Sequence, residues 1–296
     1  MKQLRLKNAS VIEEAYAKIN LYLEVIGKRK DGYHNIRSVM QTVSLHDTVN
    51  VRLSESGISM TCSTPALDCG DSNLCIKAAK AFSVAVGGIG ADIALTKVIP
   101  MQAGLGGGSA DAAAVLRALN YLCGHPFSVP GLCSIGAGIG ADVPFCIAGG
   151  TALAEGTGEL LSPFTALPHC RIVICKGKTA VPTPEAYRKL DQLRAVPDGT
   201  FESFSSAMLA GDLNSIGKTL YNRFEAIDHS EEIRHILSRN GSVGSLLSGS
   251  GSAVFGLFSR LSAAEAAKMQ LESAGYTAFV CQPVRSSDVC GSRNSD

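Results

Sequence analysis

The chain has almost no excess of charge of either sign: 27 basic residues stand against 26 acidic ones, a formal net charge of +1. Without a global basic excess, non-specific binding to nucleic acid is disfavoured, and only a local patch stays open. The ten cysteines are scattered, with no Cys-x-x-Cys pair and no Cys/His pairs at zinc spacing. That pattern excludes the common structural zinc sites. No apolar signal core follows the start Met1-Lys2-Gln3-Leu4-Arg5, so no secretory signal is expected. A cytoplasmic protein with reduced thiols is the simplest reading. The most apolar long stretch, residues 131–154, is interrupted by Asp142, Pro144 and several glycines. It reads as a packed loop, helix and strand rather than a membrane span. No repeat at the spacing of solenoid or propeller units is present.

What is there is a chain of 296 residues, 46% hydrophobic and 18% charged. That is enough apolar material for a sizeable core, in one large domain or two ordinary ones. Strand-like and helix-like segments alternate in both halves, so the class is α/β or α+β, with a weak boundary near residues 150–165.

Residues 100–119 are the centre of the reading. Gly104, Gly106, Gly107 and Gly108 stand directly before a run with Ala112, Val115, Leu116, Leu119 and Leu122 at helical spacing. Glycine admits close approach of backbone to a ligand, and a helix start offers unpaired N–H groups and a positive dipole end. The two together suit a polyphosphate, with a purely structural turn as the other reading. Ser109 suits the helix N-cap, and Asp111 falls in the first turn. The loop is not a P-loop, because no lysine follows Gly108, nor a dinucleotide fingerprint, because Ser109 takes the place of the third glycine. Residues 136–141 fit the looser G-x-G-x-x-A form, but no clear strand feeds them.

Around this loop the chain offers other candidates. Residues 10–26 alternate as a strand, with Lys18 and Asn20 on the more polar face. A strand lysine is most often a solvated edge residue. Asp31-Gly32 is a turn signal, and Tyr33-His34 after it is either a ring-binding tip or ordinary loop surface. Ser72 is a candidate N-cap for a helix at residues 74–82. Asp142 before Val143-Pro144 looks like an N-cap. The prolines at 182 and 184 favour an extended loop, followed by a helix over residues 185–193 that carries Tyr187 in its first turn. Residues 245–252 form a third small-residue loop before the strand at residues 253–258. The tail from residue 286 is polar and reads as frayed.

These segments resemble a known family. Pro100-x-x-x-Gly104-Leu105-Gly106-Gly107-Gly108-Ser109 is similar to the second motif of the GHMP kinases (galactokinase, homoserine kinase, mevalonate kinase, phosphomevalonate kinase), and Ser248-Gly249-Ser250-Gly251-Ser252 with the strand after it to their third. Ala15-Tyr16-Ala17-Lys18-Ile19-Asn20, Asp31-Gly32-Tyr33-His34 and Gly140-Ala141-Asp142-Val143-Pro144 narrow the match. They resemble the members that phosphorylate a cytidylated methylerythritol on the route to isoprenoids. Val181-Pro182-Thr183-Pro184 and Asn222-Arg223-Phe224-Glu225 match as well. The resemblance runs to about Val284. Tyr16 replaces a frequent proline, and Ala110-Asp111 replaces a common Ser-Asn pair.

The resemblance implies an α+β protein of the α/β sandwich type with two lobes. Residues 1–155 would form a lobe like ribosomal protein S5 domain 2, residues 156–284 a ferredoxin-like lobe, and residues 285–296 a polar tail. It implies ATP as co-substrate with Mg²⁺, for which Ser109 is a candidate hydroxyl ligand. Pro100, Gly104, Leu105, Gly106, Gly107, Gly108, Ser109, Ala110 and Asn73 would hold ATP. Lys18 and Asp142 would be catalytic. Asn20, Tyr33, His34, Thr183 and Tyr187 would bind the cytidylated sugar alcohol, with Tyr187 stacking on the far side of the base; a helix-surface aromatic is the other reading of Tyr187. No nucleic-acid or membrane partner is expected, and the chain would be a monomer or weak homodimer. Three rival readings stay open: a homoserine- or mevalonate-type kinase, a non-catalytic nucleotide-binding member of the fold, and a nicotinamide-binding protein.

Overall fold

The computed structural model describes residues 9–55, 57–178, 182–193 and 200–290. In chain order the first part runs β1 (Ser10–Lys28), β2 (His34–Ser54), β3 (Ile58–Cys62), α1 (Leu74–Ala85), β4 (Gly90–Thr96), α2 (Gly107–Leu122), α3 (Val129–Ala137), α4 (Val143–Ala148), β5 (Thr151–Glu155) and β6 (Leu160–Pro163). The second part runs β7 (Arg171–Lys176), α5 (Thr183–Asp191), α6 (Phe201–Ala210), α7 (Leu213–Thr219), β8 (Tyr221–Asn222), a 3-10 turn (Arg223–Ile227), α8 (Glu231–Arg239), β9 (Gly244–Leu247), β10 (Ala253–Phe258), α9 (Leu261–Ser273), β11 (Thr277–Cys281) and α10 (Ser286–Cys290).

Two sheets carry the molecule. The first has the order β3-β4-β2-β1-β8, with the β5–β6 hairpin joined to β2. That hairpin spans residues 151–163 and pairs Ala154 with Leu161. The second has the order β11-β7-β10-β9, all antiparallel, which is the ferredoxin-like arrangement. The fold is α+β, as the resemblance implied.

The long β1–β2 hairpin exists because both strands alternate. Ile19, Leu21, Val39 and Val43 are fully buried against the helices of the first layer. Register shifts in β1 between Tyr16 and Lys18, and again between Asn20 and Tyr22, bracket Lys18 and Asn20. Bulges of this kind re-aim side chains at strand rims. The central helix α2 is nearly all alanine and leucine and packs its buried residues from Ala110 to Leu122 on that sheet.

Several local expectations are corrected. α1 is capped by Asn73, whose Oδ1 accepts from Cys75 N at 2.8 Å, not by Ser72. α2 begins at Gly107 with Gly106 in the cap position, so Ser109 is already inside the helix. α5 begins at Thr183, because a proline in the first turn removes an N–H that no helical bond needs. α3 starts after Ser128, whose hydroxyl accepts from Gly131 N, with Pro130 in its first turn. Residues 286–290 are a short helix rather than frayed: α10 lays buried Val289 over Gly149, at the C-terminal end of α4; the rest of the tail lies outside the described residues.

Candidate active site

One cleft of about 1240 Å³ runs between the glycine loop, the β1–β2 tip and α5. Lys18, Asn20, Tyr33, His34, Asn73, Pro100, Gly104 to Ser109 singly, Asp142, Thr183 and Tyr187 all line it. Ala110 does not: it is buried, and its N–H donates to Gly106 O at 2.8 Å inside the helix, so it is not free for a phosphate.

The loop is fixed by its backbone. Lys18 N donates to Leu105 O at 3.0 Å, and Ala253 N donates to Ala103 O at 3.0 Å. Ser248 Oγ donates to Gly104 O at 2.9 Å, tying the third small-residue loop to the second. A Cβ at Gly104 would fall 2.1 Å from Ser248 O, and the residue has φ +73°. Gly106, at φ +69°, leaves only 3.0 Å between its missing Cβ and Lys18 Cγ. Both positions therefore require glycine. The loop ends in the N-terminus of α2, where the first N–H groups have no intrahelical acceptor. Those donors and the helix dipole point a positive end into the cleft.

Lys18 is buried at 5% exposure, contrary to the solvated strand reading. Its Nζ donates to Asn20 Oδ1 at 2.8 Å and lies 3.4 Å from Asp142 Oδ2. Asn20 Nδ2 donates to Ser38 Oγ at 2.8 Å, and Ser38 Oγ donates to Tyr22 O at 2.7 Å. This relay fixes the Asn20 amide with its oxygen toward the lysine. Ser38 has no signal in the sequence; it is found only through the β1–β2 pairing. Asp142 occupies the cap position of α4 but has φ −84°, ψ −10° and makes no cap hydrogen bond. Its carboxylate is turned to Lys18 instead, with its side chain one-third exposed to the cleft.

Asn73 uses both polar ends locally, with Nδ2 donating to Asp68 O at 2.7 Å and Oδ1 capping α1. Beneath the loop, Lys97 Nζ donates to Asp47 Oδ2 and, at 2.8 Å, to Asp111 Oδ2. Asp47 Oδ1 also accepts from Ile99 N at 2.8 Å. Burial, opposed by Lys97, pushes the Asp111 carboxyl up to about 8. Asp111 is thus a buried member of a Lys97–Asp47–Asp111 cluster, shifted toward its protonated form, rather than a solvent-facing partner of the helix dipole.

On the wall formed by the β1–β2 tip and α5, the His34 ring lies on Tyr187 with centroids 4.6 Å apart and planes 16° from parallel. No base fits between these two rings as they stand, so Tyr187 stacks on His34 itself. Burial pushes the Tyr187 hydroxyl up to about 12, which keeps it protonated. Tyr33 is 67% exposed at the rim. Thr183 Oγ1 sits 3.1 Å from Ser250 Oγ. Asp191, which the sequence did not single out, bonds His34 Nε2 at 2.8 Å. Thr183, Tyr187 and Asp191 are spaced i, i+4, i+8 on one face of α5, and that spacing was the available signal.

Residues 73–150 match the model of the GHMP kinases N terminal domain, and residues 204–277 that of the GHMP kinases C terminal. The chain belongs to the GHMP kinases, phosphotransferases that use ATP and act on a hydroxyl group. Within them it is 43% identical over 250 residues to the 4-diphosphocytidyl-2-C-methyl-D-erythritol kinase of Desulfitobacterium hafniense, covering 82% of this chain and 85% of that one. It is 38% identical over 285 residues to the kinase of the same name from Acetivibrio thermocellus, covering 93% and 99%. A crystal structure of 4-(cytidine 5'-diphospho)-2C-methyl-D-erythritol kinase superposes with a TM-score of 0.77 at 36% identity, covering 92% and 99%. Among the described residues, no helix is long and apolar enough to cross a membrane.

Proposed function

We propose that this chain transfers the γ-phosphoryl group of ATP to the 2-hydroxyl of 4-diphosphocytidyl-2-C-methyl-D-erythritol. The observation that carries the reading is that one cleft is lined by the glycine loop, by the Lys18–Asp142 pair set against Gly106, and by the His34–Tyr187 stack. A phosphate site, a pair able to act on a hydroxyl and a pair of rings in one cleft are the groups that such a substrate needs.

Phosphoryl transfer is mainly a matter of positioning and charge stabilisation. The backbone N–H groups of Gly104 through Ser109 hold the phosphates, with Pro100 in the wall beside them. Asn73 shapes the adenine end. Asp142 accepts or orients the proton of the attacking hydroxyl. Lys18, beside that carboxylate, stabilises the alkoxide and the γ-phosphate as charge shifts between them. Asn20 holds Lys18 and the acceptor hydroxyl, and Thr183 contacts the substrate beside Ser250. Tyr33 and His34 meet the cytosine.

Mg²⁺ offsets phosphate charge in reactions of this kind. Among the described residues no group of three His, Cys, Asp or Glu side chains could hold an ion. Such an ion would be held mainly by the phosphates and water, and Ser109 is the residue whose hydroxyl would reach it from the loop. The reading includes a cytoplasmic location and a chain that works as a monomer or weak homodimer.

The acceptors of kinases of the homoserine or mevalonate type carry no base. CDP is therefore expected to compete with the acceptor here and not to compete in those enzymes. His34→Ala is expected to raise KM for the cytidylated substrate at least about tenfold, the worth of one hydrogen bond and a ring contact, with KM for ATP nearly unchanged. Equal rises in both constants would show that the base does not bind at His34.

A further inference from the structure

The end of α5 reaches across the cleft to the tip of the β1–β2 hairpin. There the Asp191 carboxylate takes two partners. Oδ1 lies 2.8 Å from His34 Nε2, and Oδ2 accepts from Lys28 Nζ at 2.6 Å. Lys28 is the last residue of β1 and His34 the first of β2, so one side chain of α5 holds both strands at the tip. The proposed chemistry assigns Asp191 no role.

Two constraints act on the His34 ring. Tyr187 fixes its plane by stacking, and Tyr187 is itself held edge-on to Phe224 at 5.0 Å and 84°. Asp191 fixes the rotation within that plane, because a carboxylate accepts and never donates. Hydrogen bonds from Lys28 and His34 hold the Asp191 carboxyl below the usual range, so it stays an acceptor. The His34 side chain is 8% exposed. Its Nδ1 has no protein partner among the described residues, and the residue lines the cleft.

We infer that Asp191 is a positioning residue that determines base specificity: it keeps the His34 proton on Nε2 and so presents Nδ1 as a hydrogen-bond acceptor to the exocyclic amino group of a cytosine. This deepens the proposed cytidylated substrate and rests on that reading. In a neutral imidazole one nitrogen donates and the other accepts, and the partner of the first decides the role of the second. Cytosine carries a donor amino group at its exocyclic position. Uracil carries a carbonyl oxygen there, which would face the Nδ1 lone pair and leave two acceptors opposed. Selectivity by an unmet polar group is stronger than selectivity by shape. Lys28 balances the Asp191 charge, so the base approaches His34 without an uncompensated carboxylate behind it.

The test uses the intact chain, with CDP and UDP as competitive inhibitors of the kinase reaction and ¹⁵N NMR of the histidine rings as a second readout. The wild type is expected to carry the His34 proton on Nε2 and to prefer CDP to UDP. Asp191→Ala is expected to mix the tautomers and to lower the CDP-to-UDP preference about tenfold, the scale of one hydrogen bond, with kcat and KM for ATP unchanged. Asp191→Asn keeps the size and can face the ring with either its carbonyl or its amide, so it is expected to fall between the two. A His34 proton on Nδ1 in the wild type, or a full CDP preference in both variants, overturns the role of Asp191 and leaves the cytidine reading standing. A wild type that binds CDP and UDP equally overturns the cytidine reading itself. The wild-type tautomer and Asp191→Asn decide the matter even if the alanine variant does not fold.

Discussion

Asp142→Ala is expected to lower kcat by about 10²- to 10⁴-fold, the usual span for loss of a general base or its orienting equivalent, while ATP affinity stays close to that of the parent. The two effects separate because the groups that hold the nucleotide are backbone atoms of another segment. The glycine loop is fixed by Leu105 O, Gly104 O and Ala103 O, none of which touches Asp142. Lys18 also keeps its bond to Asn20 when the carboxylate is removed, so its ammonium remains in the cleft. Calorimetric titration with ATP, beside steady-state turnover, checks both halves. Near-normal turnover would remove Asp142 from the mechanism, and a parallel loss of ATP binding would make it a structural residue of the loop.

Lys97→Met is expected to produce the largest loss of stability, about 3–5 kcal/mol, because it strips two buried carboxyl groups of the ammonium they share. Asp47 is fully buried and Asp111 is 2% exposed. A loss of that size corresponds to a Tm lower by roughly 6–20 °C, at about 2–4 °C per kcal/mol, typical of large domains. The same cluster gives a pH dependence. The Asp111 carboxyl titrates near about 8 in the folded chain and near about 3.9 when unfolded. The folded state therefore binds the extra proton between those values, and the contribution of Asp111 to stability is lost as pH rises through that window. Asp111→Asn removes the proton exchange, so its Tm should change less between pH 5 and pH 8 than that of the parent. Thermal unfolding across pH checks the triad; a Lys97→Met protein as stable as the parent would mean that the ammonium is not the partner of both carboxylates.

The parts of this architecture that were legible in the sequence are those set by local pattern. The alternation of residues 10–26 gives β1, and the alanine- and leucine-rich run after the glycine loop gives α2. The motif residues carry the family and, through it, both lobes. What was not legible depends on partners distant in the chain. By strand pattern alone Lys18 reads as solvated; the resemblance sets it beside Asp142, and α4 brings the two side chains to 3.4 Å. Asp142 reads as a helix cap because its neighbours Val143 and Pro144 start a helix, and only the fold shows its carboxylate turned away from that helix. Ser72 and Asn73 are both good caps, and one residue of offset separates expectation from structure. Polar composition hid the docking of α10, since one valine over Gly149 is enough to seat it. Asp191 stayed hidden because its two partners lie on the other side of the cleft.

The acceptor is the central claim, and ADP release measured with and without 4-diphosphocytidyl-2-C-methyl-D-erythritol tests it most directly. The account predicts ADP formed one for one with phosphorylated substrate, and none above background with mevalonate, homoserine or no acceptor. ADP release that is equal with mevalonate or homoserine, or absent with the cytidylated substrate, would contradict it.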